Sequence, residues 1–421
     1  MSLPLASQRT FLYKRFPQIV LTPIGDLLFS ASEQGAWYDP SDLSTLFQDA
    51  AGSTPVTAVE QPVGRMLDKS GRGNHATQAT TTKRPVYSRR VNLLTKTEQF
   101  DSVAWGKSGA TITGNTGIAP DGASTADSVT FSSSADYVIQ QYPGYTSTVG
   151  AQIVISLHVK SASRLLVFGG ATPAGTDIYT STPLAGGWYL QKVVRTFTAA
   201  TTGTIQYLFA GTYATGTFEV WGASLTLATD AHLPYQWVNT DTDYDADPNK
   251  FPAYRRLDGV DDSHASATGG GGTSGFFFSA AVSPQGGAGT ARTLFSDAGT
   301  NTGYIVRLNT SNQLELAAGN GTAYTTIATS GALAVGTTNV IQAWDDGTNL
   351  NVKIGNGATA SIARPVVSAG TAGYTMGQNN GASTGYFNGR AYSTIYRKDS
   401  GLTQVQRESV ALYQLQKARM P

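Results

Sequence analysis

The run "QIVISLHVK" at 152–160 puts Ile153, Ile155, Leu157 and Val159 on one side and Val154, Ser156, His158 and Lys160 on the other. A period of two is the pattern of a strand with one buried face. Runs of this kind recur through most of the chain. "WYLQKVVRTFTA", "GTIQYLFAG" and "GTFEVWGASLTLA" follow the first, and "GFFFSAAVS", "GYIVRLNT", "QLELAAG" and "YSTIYRK" come later. Short strands at regular spacing, bounded by Gly and Thr, predict sandwiches or jelly rolls. Asp346-Gly347, between two alternating runs, predicts a hairpin turn. With 14% charged residues and 47 glycines, the composition favours strands and tight turns over long solvated helices.

Two segments depart from the strand pattern. In "GAWYDPSDLSTLFQD" (35–49), Asp39 suits a cap, Pro40 the first helical position and Asp42 the first turn. Leu43, Leu46 and Phe47 share a stripe, so a short helix is expected near 40–48. Near the C-terminus, Thr403 and Gln406 fit a capping box, and Val405, Leu412 and Leu415 lie near one face of a helix at 403–417. Residues 1–27 read as an extended arm. It is either a strand packed on its own domain or a docking segment.

Several functions are disfavoured from composition. A net charge of +1 gives no electrostatic case for nucleic acid. No apolar run approaches the length of a membrane span. Pro17, Pro23 and Asp26 interrupt the apolar N-terminal stretch, so no signal peptide is expected. With no cysteine in the chain, disulfides, thiolate metal sites and thiol nucleophiles are excluded. The four histidines, His75, His158, His232 and His264, are far apart in sequence. Glutamates are sparse (Glu33, Glu60, Glu98, Glu219, Glu315, Glu408), and none has a second acid two residues on along a strand. Glycosidases need two carboxylates across the scissile bond, so no catalytic residues are assigned. "TGGGGTSG" (268–275) precedes a strand and not a helix, so it is a bend and no phosphate cradle.

Three blocks carry a resemblance. "WYDPSD" (37–42) leads to "LDKSGRGNHATQ" (67–78), with Asp68, Gly71, Gly73, Asn74, His75 and Ala76. "RLDGVDDSHAS" (256–266) follows, with Asp258, Gly259, Asp261 and Asp262. The chain closes on "YFNGRAYSTIYRKDSGL", with Phe387, Gly389, Ile395, Tyr396 and Leu402. In this order the blocks resemble the concanavalin A-like, laminin-G-type lectin domain found in bacteriophage structural proteins. The second block stands much further from the third than in that family. The intervening text resembles a carbohydrate-binding-module-like jelly roll. The implied organisation is all-β: an N-terminal arm (1–27, docking to the virion), a discontinuous lectin-like sandwich (28–91 plus 248–421) and an inserted jelly roll (92–247). Insertion needs the guest's ends to be close, so Val91 and Pro248 are expected to be neighbours.

Gly71, Gly73 and Asn74 suit a turn, and His75 either supports that turn or serves a metal. Asp258, Asp261 and Asp262 offer carboxylates for Ca²⁺, although calcium wants six to eight oxygens; otherwise no cofactor is expected. For glycans, Tyr142 and Tyr145 are expected on a loop of the inserted jelly roll, and Gln378, Asn379, Asn380 and Tyr386 on a second loop. Each either binds sugar or simply packs. The resemblance implies a virion structural protein, assembled in the host cytoplasm and displayed on the particle. The expected role is a tail or baseplate component that binds host surface glycan, as a homo-oligomer such as a trimer, held by other virion proteins. A capsid decoration protein or head fibre is the alternative, and a glycan-degrading enzyme the third reading.

Overall fold

The computed structural model describes residues 23–285, 289–379, 385–399 and 401–420. Almost every element is a strand, and every strand ladder is antiparallel. The strands form two pairs of large sheets, each pair enclosing its own core.

The large sandwich draws strands from both ends of the chain. Its eight-stranded sheet runs Ala360–Ala363, Asn349–Ile354, Asn339–Asp345, Phe276–Pro284, Asn388–Arg397, Tyr254–Asp258 and Val86–Ser88; Gly35–Tyr38 also pairs with Asn388–Arg397. Tyr38 stands opposite Thr394 and Tyr254 opposite Ser88. The facing sheet has nine strands, from Leu46–Phe47 at one edge to Tyr324–Ala332 at the other. Period-two alternation sends Phe276, Phe278, Ala280 and Val282 between the sheets, against Phe295, Tyr304 and Tyr374. Phe277 points the other way, into a cluster with Trp344, Ile395 and Val410.

The small sandwich is continuous in sequence. Its six-stranded sheet runs Gly175–Pro183, Tyr189–Phe197, Gln152–Val159, Gly216–Leu227, Ala126–Phe131 and Thr111–Gly117. The facing sheet runs Leu166–Phe168, Thr202–Ala210, Tyr137–Thr146 and Gly106–Ser108. Ile153, Ile155, Leu157 and Val159 all face this core, as their spacing predicts.

The segments entering and leaving the small sandwich are tied together. Tyr254 OH donates to Arg90 O at 2.5 Å, and Arg89 Nη1 to Phe251 O at 2.6 Å. Gln236 spends its whole amide here. Its Oε1 accepts from Val91 N and Asn92 N (2.7 and 3.0 Å), and its Nε2 donates to Arg89 O and Asp245 O (3.0 and 2.8 Å). A buried ion pair joins the two sandwiches: Asp230 and Arg390 meet at 2.6 Å with side chains 3% and 4% exposed.

Three expectations change. The helix near 40–48 shrinks to one 3₁₀ turn at Leu43–Thr45, followed by strand Leu46–Phe47. Leu46 and Phe47 pair with Met66 and Arg65, and this distant ladder overrides the local helical signals. The C-terminal helix is present as Gln404–Lys417 with its capping box, but it docks on another face. Val410 and Gln414 are buried and Leu415, partly buried, packs on the cluster of Tyr254 and Tyr392, whereas Val405 is 70% and Leu412 40% exposed. Gln414 Nε2 reaches Ser279 O at 3.2 Å, so backbone docking on the sheet sets the rotation of the helix. The third is the placement of Tyr142 and Tyr145, which stand on strand Tyr137–Thr146 and not on a loop. The arm expected at 1–27 lies outside the described residues as far as residue 22. Its last part forms the short helix Ile24–Leu28, which buries Ile24 and Leu28.

Candidate functional site

The block "LDKSGRGNHATQ" builds a turn around Asp68. Its Oδ1 accepts from Trp37 N (2.9 Å) and Ser70 N (2.8 Å). Its Oδ2 accepts from Ser70 Oγ (2.7 Å) and Asn74 N (3.0 Å). His75 Nδ1 accepts from Asp68 N at 3.0 Å. Gly71 and Gly73 adopt φ of 79° and 72°, which glycine tolerates without steric cost. These bonds close the turn on itself, and Trp37 N to Asp68 and Asn74 Nδ2 to Gly35 O (2.7 Å) fasten it to strand Gly35–Tyr38.

"RLDGVDD" behaves similarly. Asp258 Oδ1 accepts from Val260 N (2.8 Å) and Asp261 N (3.3 Å), while Asp258 N donates to Asp262 Oδ2 at 3.0 Å. One ligand atom from each of Asp258, Asp261 and Asp262 falls within 4.8 Å of the others. Burial, with the neighbouring Asp258 carboxylate, pushes the Asp262 carboxyl up to about 6.

The expected glycan residues do not form one site. Tyr145 is 4% exposed and packs on Phe197 with ring centroids 5.4 Å apart. A register shift in the pairing with Thr202–Ala210 falls between Tyr142 and Tyr145, and Tyr145 turns into the core. Tyr386 is 8% exposed, and its hydroxyl accepts from Gln378 Nε2 at 3.0 Å. Asn379 Oδ1 accepts from Ser296 Oγ at 3.0 Å. These side chains brace a loop, and Tyr386 offers no ring face to a ligand. Asn380 lies outside the described residues.

Tyr142 differs. Half-buried, it stands where two concavities meet, one of about 550 Å³ and one of about 230 Å³, which share Arg90, Leu93 and Tyr142. The larger runs along the small sandwich past Gln141, Pro143 and Asp241. The smaller enters the large sandwich past Arg256, Asp258, Gln285 and Asn388. Each arginine of this seam is already paired. Arg90 bonds Asp241, Arg256 Nη2 meets Glu60 Oε2 at 2.8 Å, and Arg390 holds Asp230. The cleft therefore combines the rings of Tyr142 and Tyr254 with amide and carboxylate groups, and each of its guanidiniums has a carboxylate partner. Sequence reasoning found Tyr142 and missed Arg90, Arg256 and Asn388. The doublets Arg89-Arg90 and Arg255-Arg256 are the signal that marks the two arginines, and no sequence signal marks Asn388.

The strand glutamates are engaged elsewhere. Glu219 pairs with Lys160 at 2.8 Å, and Glu315 pairs with Arg307. A second groove of about 190 Å³ runs over the outer face of the six-stranded sheet, past His158, Lys192 and Tyr235. Burial pushes the His158 imidazole down to about 4, so the ring is neutral at pH 7.

Two facing pairs of antiparallel sheets define the class, an all-β protein of two joined sandwiches. No family model and no curated protein matches the chain. Among solved structures, it is similar to tandem domains LG4-5 of the mouse laminin α1 chain, at 11% identity over 63% of this chain and 92% of that one, TM-score 0.29. It is also similar to the CBM40 of a Ruminococcus gnavus IT-sialidase, at 11% identity over 33% and 84%, TM-score 0.29. A third likeness is to the carbohydrate-binding module CBM66 from Bacillus subtilis, at 14% identity over 34% and 82%, TM-score 0.24.

Proposed function

We propose that the chain is a non-catalytic glycan-binding protein of a bacteriophage particle, a tail or baseplate component that contacts the host surface. In this reading a lectin-like domain (28–91 plus 248–421) carries an inserted jelly roll (92–247), and sugar binds in the seam between them. The observation that carries it is the cleft at Tyr142. A half-exposed ring beside amides and carboxylates suits the apolar faces and hydroxyls of a sugar. Because each arginine lining the cleft is already paired, the reading favours neutral sugars over acidic ones. The virion assignment is supported by the three sequence blocks alone.

A glycan array probed with the full chain tests binding. We expect neutral glycans to bind, with Tyr142→Ala weakening them about tenfold or more, the scale of losing one aromatic anchor. Unchanged binding in that variant removes the cleft from the proposal. Antibody labelling of intact particles tests the address. Label on the tail supports a receptor-binding role, and label on the head moves the protein to capsid decoration.

A further inference from the structure

Strand Tyr254–Asp258 turns Arg255 inward, between the two sheets of the large sandwich, where it is 2% exposed. Its Nη1 lies 3.3 Å from His264 Nδ1, and its Nη2 donates to Thr394 Oγ1 at 3.3 Å. Its Nε has no hydrogen-bond partner. Among the described residues no carboxylate pairs with this guanidinium, and no aromatic ring sits in cation–π position over it. Buried charges are ordinarily paired, because desolvation penalises them heavily. Arg255 breaks that rule.

Its neighbours do not supply the missing charge. His264 Nε2 donates to Val63 O at 2.8 Å, which leaves Nδ1 to accept from Arg255. Burial and Arg255 itself push this imidazole down to about 3, so the ring is neutral. Burial likewise raises the Tyr38 phenol well above its ordinary value and keeps its proton on. Arg255 is pushed down to about 10 and remains a cation at neutral pH.

A cavity of about 10 Å³ adjoins the side chain, lined by Arg255, Thr394, Leu257, Phe278, Met376 and Phe387. That is about the space for one small, water-sized occupant. We propose that Arg255 holds a single halide ion inside the large sandwich. The Nε–H and the Thr394 hydroxyl donate to it, and the apolar wall accommodates a weakly hydrated ion. A water molecule would satisfy the same donors without neutralising the cation.

The test is a crystal of the unaltered protein soaked in sodium bromide, with anomalous data collected at the bromine edge. A peak within hydrogen-bonding reach of Arg255 Nε and Thr394 Oγ1 is expected. Bromide found only elsewhere, or a bromide-independent water peak at Arg255, overturns the proposal. In solution, the melting temperature should rise as chloride replaces gluconate at fixed ionic strength. Arg255→Met should flatten that dependence. A wild-type melting temperature indifferent to chloride also overturns the proposal, whether or not the variant folds.

Discussion

The small sandwich buries its rings as a block: Trp105 packs on Phe100, Tyr207 and Phe209 with centroids 5.1, 5.5 and 5.9 Å apart. The large sandwich buries more ionisable groups, although Asp127 and Asp136 are buried in the small one. Asp297 is 0% exposed and accepts from Tyr304 N at 2.6 Å, and Asp345, also 0% exposed, accepts from Tyr304 OH and Arg364 Nε at 2.7 Å each. The strands differ in the same sense. In the small sandwich most are long and come from one stretch of chain. In the large one, Leu46–Phe47, Arg65–Met66 and Ala76–Thr77 are two residues each and pair at the edge of a sheet completed much later in the sequence. Side-chain pattern alone sets register over eight residues, but hardly over two. We read the buried carboxylates and the Asp68 turn as polar pins that compensate for this.

The sharpest break of that comparison is Trp105→Ala. We expect it to cost about 3–5 kcal/mol and to lower a calorimetric transition belonging to the small sandwich while the other transition stays. A single transition that moves as one would show that the sandwiches melt together. Asp230→Ala attacks the joint, leaving Arg390 buried and unpaired at a cost of about 3 kcal/mol or more. Chemical denaturation should show both sandwiches weakened. Asp68→Ala strands buried backbone N–H groups, each worth roughly 1–3 kcal/mol. It should loosen strand Gly35–Tyr38 in hydrogen exchange and leave the small sandwich protected.

The pins also carry a pH signature. Burial raises Asp297 to about 6, above the ~3.9 of an unfolded carboxyl. Its stabilising contribution is therefore full below that unfolded value and is lost as pH rises through about 6. His264 runs the opposite way. Lowered to about 3, it favours the fold above the unfolded value of ~6.5 and withdraws that support as pH falls. Denaturation midpoints of Asp297→Asn between pH 4 and 7 should show a smaller decline than the wild type, with Asp262 still contributing its own, and should keep the rise from His264 and His158. The smallest effect expected is Val405→Ala, at 70% exposure, with a change within about 0.5 kcal/mol in thermal melts.

What the sequence revealed was what local chemistry decides. Alternation in "QIVISLHVK", the Asp346-Gly347 turn with Gly347 at φ 87° and the Thr403–Gln406 box each depend on residues within one element. What it concealed depends on partners far along the chain. The caps at 39–42 spell a helix until Leu46 meets Met66. Tyr145 looks like loop surface until a register shift turns it inward. Arg90 and Arg256 become neighbours of one cleft only when both sandwiches are built.

The pairing of Tyr38 with Thr394 has a consequence for synthesis. At ~5–20 residues per second, the first of these leaves the ribosome about 20–70 s before the second. Through that interval the early edge has no partner. The small sandwich, whose strands are all made long before Asn388–Arg397, can fold first. Closing the eight-stranded sheet must therefore wait until strand Asn388–Arg397 has been made.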